Sequence, residues 1–219
     1  MSRKVALIHA TQVAIDPIHH AMRTLWPDCQ AVNLLDDSLS ADRAVQKGAL
    51  SDSLTDRIVA IADYAAGLGS DGVLYTCSAF GSAIDKAASR LSIPVLKPNE
   101  AMFEQALDSG DRIAMLYTFE PARAGMEQEF REMVPSNRPH VSFSSHYVPG
   151  AMDALRSADP GTHNRLVATQ AARLEDVDVI MLAHFSTTRA AEAVRQQTRI
   201  PVLTSPDCAI NKLKDLIGN

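Results

Sequence analysis

The chain has 219 residues, enough for one sizeable core or for two small, similar ones. Its apolar fraction of 46% is ordinary for a soluble globular protein, and no apolar run approaches the roughly 18 residues a membrane-spanning helix needs. The net charge of -5 comes from interspersed acids and bases with no basic block, so nucleic acid is not an expected partner, and the lack of a long apolar run sets aside a membrane in the same way.

Along the chain, strand-like apolar runs alternate with helix-like ones. The opening MSRKVALIHA passes directly into a strand over Val5 to His9, with no small-residue cleavage site after it, and so predicts a cytoplasmic chain with nothing removed. A helix over IDPIHHAMRTLW and a short strand over Ala31 to Leu35 follow. Two helices are expected next, Ser40 to Gly48 and Leu54 to Leu68, with Ser40 and Ser53 as N-caps and glycines closing the second. GLGSDG, from Gly67, fits a dinucleotide-binding glycine pattern in spelling only. It follows a helix and precedes a strand, the reverse of the required order, and so marks a helix stop. A strand over Val73 to Thr76, a helix after Cys77 and a short strand over Ile93 to Leu96 complete the first stretch. Strands alternating with helices imply parallel pairing with helices on both faces.

The chain then repeats itself. A shift of 107 positions lays DGVLYTCSAFGSAIDKAASRLSIPVL, from Asp71, over DVIMLAHFSTTRAAEAVRQQTRIPVL, from Asp178, without a gap. Near the same offset KVALIHAT, from Lys4, lies over RIAMLYTF, from Arg112. Strand, turn, helix and strand matched in order predict two similar α/β halves, residues 1–97 and 98–205, and a last helix at 206–219 that packs back on the first half. A shared site is expected at the carboxyl ends of the strands, in the cleft between the halves.

The overlay sets Cys77 opposite His184, each the first residue after a strand and just before a helix. A thiol at a helix start is expected to be acidic, and the same field disfavours imidazolium, so His184 is expected to stay neutral and accept a proton. Ser78 to Gly81 and Phe185 to Thr188 supply N–H donors and hydroxyls suited to a carboxylate. Tyr75, Phe80, Tyr117 and Phe185 leave moderate room for an apolar group. The remaining cysteines, Cys29 and Cys208, make the total odd and lack metal-ligand spacing, which argues against a disulfide framework and a zinc site. Cys208, outside the matched turns, is expected to be structural. His9, His19 and His20 are joined by no carboxylate or cysteine at ligand spacing, and an exposed helix face accounts for the His19–His20 pair.

At KVALIHAT, TCSAFGSAI, LYTFEPARAGM and VDVIMLAHFSTT, which span nearly the whole chain, the sequence resembles the aspartate/glutamate/hydantoin racemase superfamily, which also holds arylmalonate decarboxylases and maleate isomerases. The resemblance implies two pseudosymmetric Rossmann-like halves, no cofactor, no metal, a small carboxylic-acid or amino-acid-like substrate, and commonly a homodimer. Carried over by position, Cys77 is the first catalytic cysteine. Thr11, Ser78, Ala79, Thr118, Ser186 and Thr187 fall where members bind substrate oxygens, beside Phe185 in the same turn. His184 stands where two-cysteine members have their second cysteine. Three functions therefore stay open: a racemase or epimerase acting by Cys/His proton transfer, a one-cysteine decarboxylase or cis–trans isomerase, and a non-catalytic small-molecule binding protein.

Overall fold

The computed structural model describes residues 2–46 and 48–218. The chain divides into two compact units, Met1–Pro98 with Ala209–Asn219, and Asn99–Cys208. In the first, strands β1 (Lys4–His9), β2 (Gln30–Leu35), β3 (Gly72–Tyr75) and β4 (Val95–Leu96) alternate with helices α1 (Ile15–Leu25), α2 (Ser38–Val45), α3 (Asp52–Gly67) and α4 (Gly81–Ala88). In the second, helix α5 (Glu100–Ser109) leads to β5 (Arg112–Tyr117), α6 (Arg123–Met133), β6 (Ser142–Tyr147), α7 (Ala151–Arg156), α8 (Pro160–Ala171), β7 (Val179–Leu182), α9 (Ala191–Arg195) and β8 (Val202–Thr204). The last helix, α10 (Ser205–Ile217), begins in the second unit and ends in the first.

Both sheets are wholly parallel, in the orders β2-β1-β3-β4 and β6-β5-β7-β8. Parallel strands are covered on both faces, which is why β1, β3, β5 and β7 are continuous apolar runs instead of alternating ones. In the first unit Ala6, Ile8, Val73 and Tyr75 pack with Ile58 and Ala62 of α3 and Ile84 and Ala87 of α4. In the second, one sheet face packs with Phe103 of α5 and Phe130 of α6, and the other with Val167 of α8 and Val194 of α9. The repeat reappears as strand register. Val5 pairs with Gly72 as Ile113 pairs with Val179, and Val73 with Val95 as Ile180 with Val202.

The residue that opens each repeat, Asp71 or Asp178, has a structural job. Asp71 accepts a hydrogen bond from the Lys4 N–H at 2.7 Å, and Asp178 accepts from the Arg112 N–H at 2.8 Å, so each carboxylate ties the start of the central strand to its neighbour. Asp178 also receives the Asp111 N–H and the Arg112 guanidinium. Gly110 makes room for it, since a Cβ there would overlap the Asp178 side chain.

Some local expectations are corrected. Helix α3 is capped by Ser51, not Ser53, because the Ser51 hydroxyl accepts the Leu54 N–H at 3.3 Å. Helix α2 starts at Ser38, and Ser40 turns its hydroxyl to the Ala10 carbonyl at 2.6 Å, tying the helix to the end of β1 instead of capping it. The expected helix Ser40 to Gly48 stops at Val45, and Lys47 lies outside the described residues. The short strand before α5 is only Val95–Leu96, because Pro94 has no N–H for a ladder and its carbonyl instead accepts from Val73. Gly69, at φ +71°, does terminate α3, its N–H returning to Ala66.

Candidate active site

In each unit the chain leaves the central strand in one direction and later returns on its other side. In sheets of this kind ligands bind beyond the carboxyl ends of the strands at such a switch point, here β1 and β3 or β5 and β7. In the first unit Thr11 follows β1 and Cys77 follows β3. Thr11, Cys77, Ser78 and Ala79 are all half-buried, while Phe80 closes the core beneath them. The chain does not enter a helix directly after Cys77. A 3-10 turn, Ser78–Phe80, intervenes, and α4 starts only at Gly81.

That turn overturns the expected thiol acidity. The macrodipole acts strongly only within a helix's first turn, and Cys77 is set back from it. Burial pushes the thiol above its ordinary value, opposed by the Ala79 N–H and by the charge of Arg43. Cys77 is therefore a protonated thiol at neutral pH. Arg43 escaped the sequence reading because a basic residue near a helix end looks like a response to the helix dipole. Its guanidinium donates to the carbonyls of Gln46 and Gly48, while its Nε is buried without a hydrogen-bond partner among the described residues.

In the second unit Thr118 follows β5, and a single alanine separates β7 from His184. His184 has φ +71° and ψ 135°, a conformation a side-chain-bearing residue adopts at a cost of about 1–3 kcal/mol. Its counterpart Cys77 is ordinary extended backbone at φ -122°. The next residues form a 3-10 turn, Phe185–Ala190, in which the Thr187 N–H returns to the His184 carbonyl. The Phe119 ring meets the imidazole edge-on at 6.5 Å between centroids. Burial pulls the His184 pKa down to about 4, so the ring is neutral, as expected, but through desolvation and not through a helix field.

The sequence-predicted partners divide by depth. Phe185, Ser186, Thr187 and Thr118 are buried, and the Thr118 and Thr187 hydroxyls bond to each other at 3.3 Å, bracing the His184 turn onto the end of β5. Tyr75, Phe80 and Tyr117 belong to the cores and do not line open space; Tyr75 donates to the Ile58 carbonyl at 2.6 Å. Cys208 is buried with its thiol on Gln105 and pushed up to about 12. Among the described residues no three His, Cys, Asp or Glu side chains gather as a metal would need, and no helix is long and apolar enough to cross a membrane.

No protein-family model and no curated sequence relative matches the chain. Solved structures do. The glutamate racemase of Francisella tularensis, crystallised with D-glutamate, superposes with a TM-score of 0.74 over 99% of this chain and 81% of its own, at 12% identity. This chain has the racemase fold. The allantoin racemase of Pseudomonas fluorescens matches with a TM-score of 0.74, 99% and 91% coverage and 16% identity. A mutant of arylmalonate decarboxylase in a sulfate-associated form matches with a TM-score of 0.69, 99% and 94% coverage and 17% identity. The racemase fold thus spans both units, each with its own four-stranded parallel sheet.

Proposed function

We propose that the chain is a cofactor-independent racemase or epimerase, acting at a carbon beside a carboxylate or carbonyl of a small acid, amino acid or hydantoin-like ring. The supporting observation is an unlike pair at matched positions of the repeat: a thiol kept protonated after β3 and an imidazole kept neutral after β7. In this reading His184 takes the α-proton. The C–H electron pair moves onto the adjacent carbonyl as an enolate, and the Cys77 S–H delivers its proton to the opposite face, leaving thiolate. Imidazolium and thiolate then exchange a proton with solvent, restoring the resting pair, and the reverse reaction starts from the ion pair. Thr11, Ser78 and Ala79 bind substrate oxygens. The turn over Phe185, Ser186 and Thr187, braced by Thr118, supplies N–H donors to the enolate.

Deuterium exchange tests the assignment. His184→Asn keeps a polar side chain without useful basicity, and with Cys77 held as a thiol no base remains, so it should abolish both racemisation and exchange of the α-hydrogen with D2O at neutral pH. Cys77→Ser should lose racemisation, a serine hydroxyl being a far weaker acid, while His184 still exchanges the α-hydrogen of one enantiomer. Full racemisation by His184→Asn would remove histidine from the mechanism. Release of CO2 from a malonate-type acid, unchanged in His184→Asn and without racemisation, would shift the assignment to a one-cysteine decarboxylase, a reading favoured by the raised thiol pKa, since a thiol that stays protonated is a ready donor to the carbanion left by CO2 loss.

A further inference from the structure

The end of β1 carries a polar residue whose burial the fold alone does not require. His9 has no solvent exposure and closes a strand that is apolar from Val5 to Ile8. Burying an imidazole without partners costs several kcal/mol, and here both ring nitrogens are bonded. Nε2 donates to the Asn33 carbonyl oxygen at 3.0 Å, an oxygen that also accepts from His19 Nε2 at 2.9 Å. With Nε2 carrying the proton, Nδ1 is an acceptor, and it takes the Thr76 hydroxyl at 2.9 Å, a proton shared with the Ile8 carbonyl at the longer 3.3 Å. Burial holds the ring neutral, which preserves this tautomer.

Thr76 is the residue immediately before Cys77. Its N–H donates to the Ile8 carbonyl at 2.9 Å, so backbone and side chain are both anchored to β1, and its β-branched side chain has little freedom left. The second unit lacks the side-chain anchor. There the backbone bond persists, Ala183 N–H to the Leu116 carbonyl at 3.0 Å, but alanine stands for Thr76 and Tyr117 stands for His9, its hydroxyl turned to Glu120. Among the described residues the brace occurs only in the half that carries Cys77.

We propose that His9, acting through Thr76, is a positioning residue for Cys77, fixing the end of β3 from which the next residue projects its Sγ. Ring burial, tautomer and the hydroxyl bond serve the thiol, and the backbone ladder alone serves the fold. The kinetic part of the test rests on the racemase reading, whereas the thiol part does not.

Two replacements of His9 separate the ring's two bonds. Asn places an acceptor where Nδ1 stood and keeps the Thr76 contact. Gln places a donor where Nε2 stood and keeps only the Asn33 contact. Thr76→Val removes the hydroxyl at constant shape. Without substrate, the pH at which Cys77 alkylates at half its maximal rate with iodoacetamide should rise by about one unit in His9→Gln and Thr76→Val. It should stay near wild type in His9→Asn. On a turned-over acid, the first two should lose about tenfold in kcat with KM little changed, and the Thr76→Val/His9→Gln double variant should be no worse than either single one. An unshifted alkylation profile in Thr76→Val, or equal damage from Asn and Gln at position 9, would overturn the proposal. Thr76→Val decides the matter even if His9→Gln fails to fold. A wild-type protein inert toward every acid while Thr76→Val still shifts the thiol would sink the racemase reading and leave the brace standing.

Discussion

At the scale of single residues, the two proton-transfer candidates owe their states to burial more than to their place near helix starts. Desolvation disfavours whichever form is charged, so it raises a thiol and lowers an imidazole, and the same physics prepares an acid and a base. The pH dependence follows. Base activity at His184 needs the neutral ring, so kcat/KM should rise as pH increases through about 4. Acid activity at Cys77 needs the thiol, so it should fall only above the ordinary thiol range, leaving a plateau across neutral pH. Both reaction directions give the same profile, because thiol with imidazole and thiolate with imidazolium bind the same number of protons. A steady change in rate between pH 6 and 8, measured by polarimetry, would contradict this arrangement.

At the scale of elements, the central strand of the second sheet is held at its start by a carboxylate. The Arg112 guanidinium and the Arg112 and Asp111 N–H groups keep the Asp178 pKa at about 2. A depressed carboxylate contributes stability that is fully present above its unfolded pKa, and this part is lost as pH falls through the ordinary carboxylate range towards 2. Asp178→Asn should therefore flatten the acid limb of the stability curve between pH 4 and 2, as urea midpoints at successive pH values will reveal. Gly110→Ala tests the same contact sterically. Its new Cβ must displace Asp178 and should cost about 1–3 kcal/mol, whereas alanine at Gly125, which faces open space, should not destabilise the chain. Equal midpoints for the two variants would show that Asp178 is not needed where it lies.

At the scale of the whole molecule, the chain's last segment belongs to its first unit. Residues from Ala209 onward complete that unit, and Leu213 and Ile217 lie over Gly72 of β3. Leu213 is fully buried, so Leu213→Ala should cost about 2–5 kcal/mol through the cavity it leaves. Hydrogen exchange locates the loss: amides of β1 and β3 should lose protection, and those of β5 and β7 should keep it. Uniform loss over both sheets would show that the units do not unfold separately.

The alternation of strands and helices, the parallel sheets and the matched halves were legible in the sequence because they rest on local pattern and on self-similarity. A continuous apolar strand declares a sheet covered on both faces, and the overlay of the chain on itself matched strands of one half to strands of the other, a match the equivalent pairings Val5 with Gly72 and Ile113 with Val179 repeat. The positions of Cys77 and His184 after their strands were legible for the same reason. Their chemistry was legible only in part, the neutral His184 being expected and the protonated Cys77 not. The 3-10 turn that distances Cys77 from α4, the positive φ of His184 and the burial of both groups depend on packing among segments distant in the chain. Arg43 acts on Cys77 from another helix, and His9 meets Asn33 and Thr76 only because β1 lies between β2 and β3. Periodicity reports which face of an element is apolar, and an electrostatic environment is the sum over whatever the tertiary fold brings near.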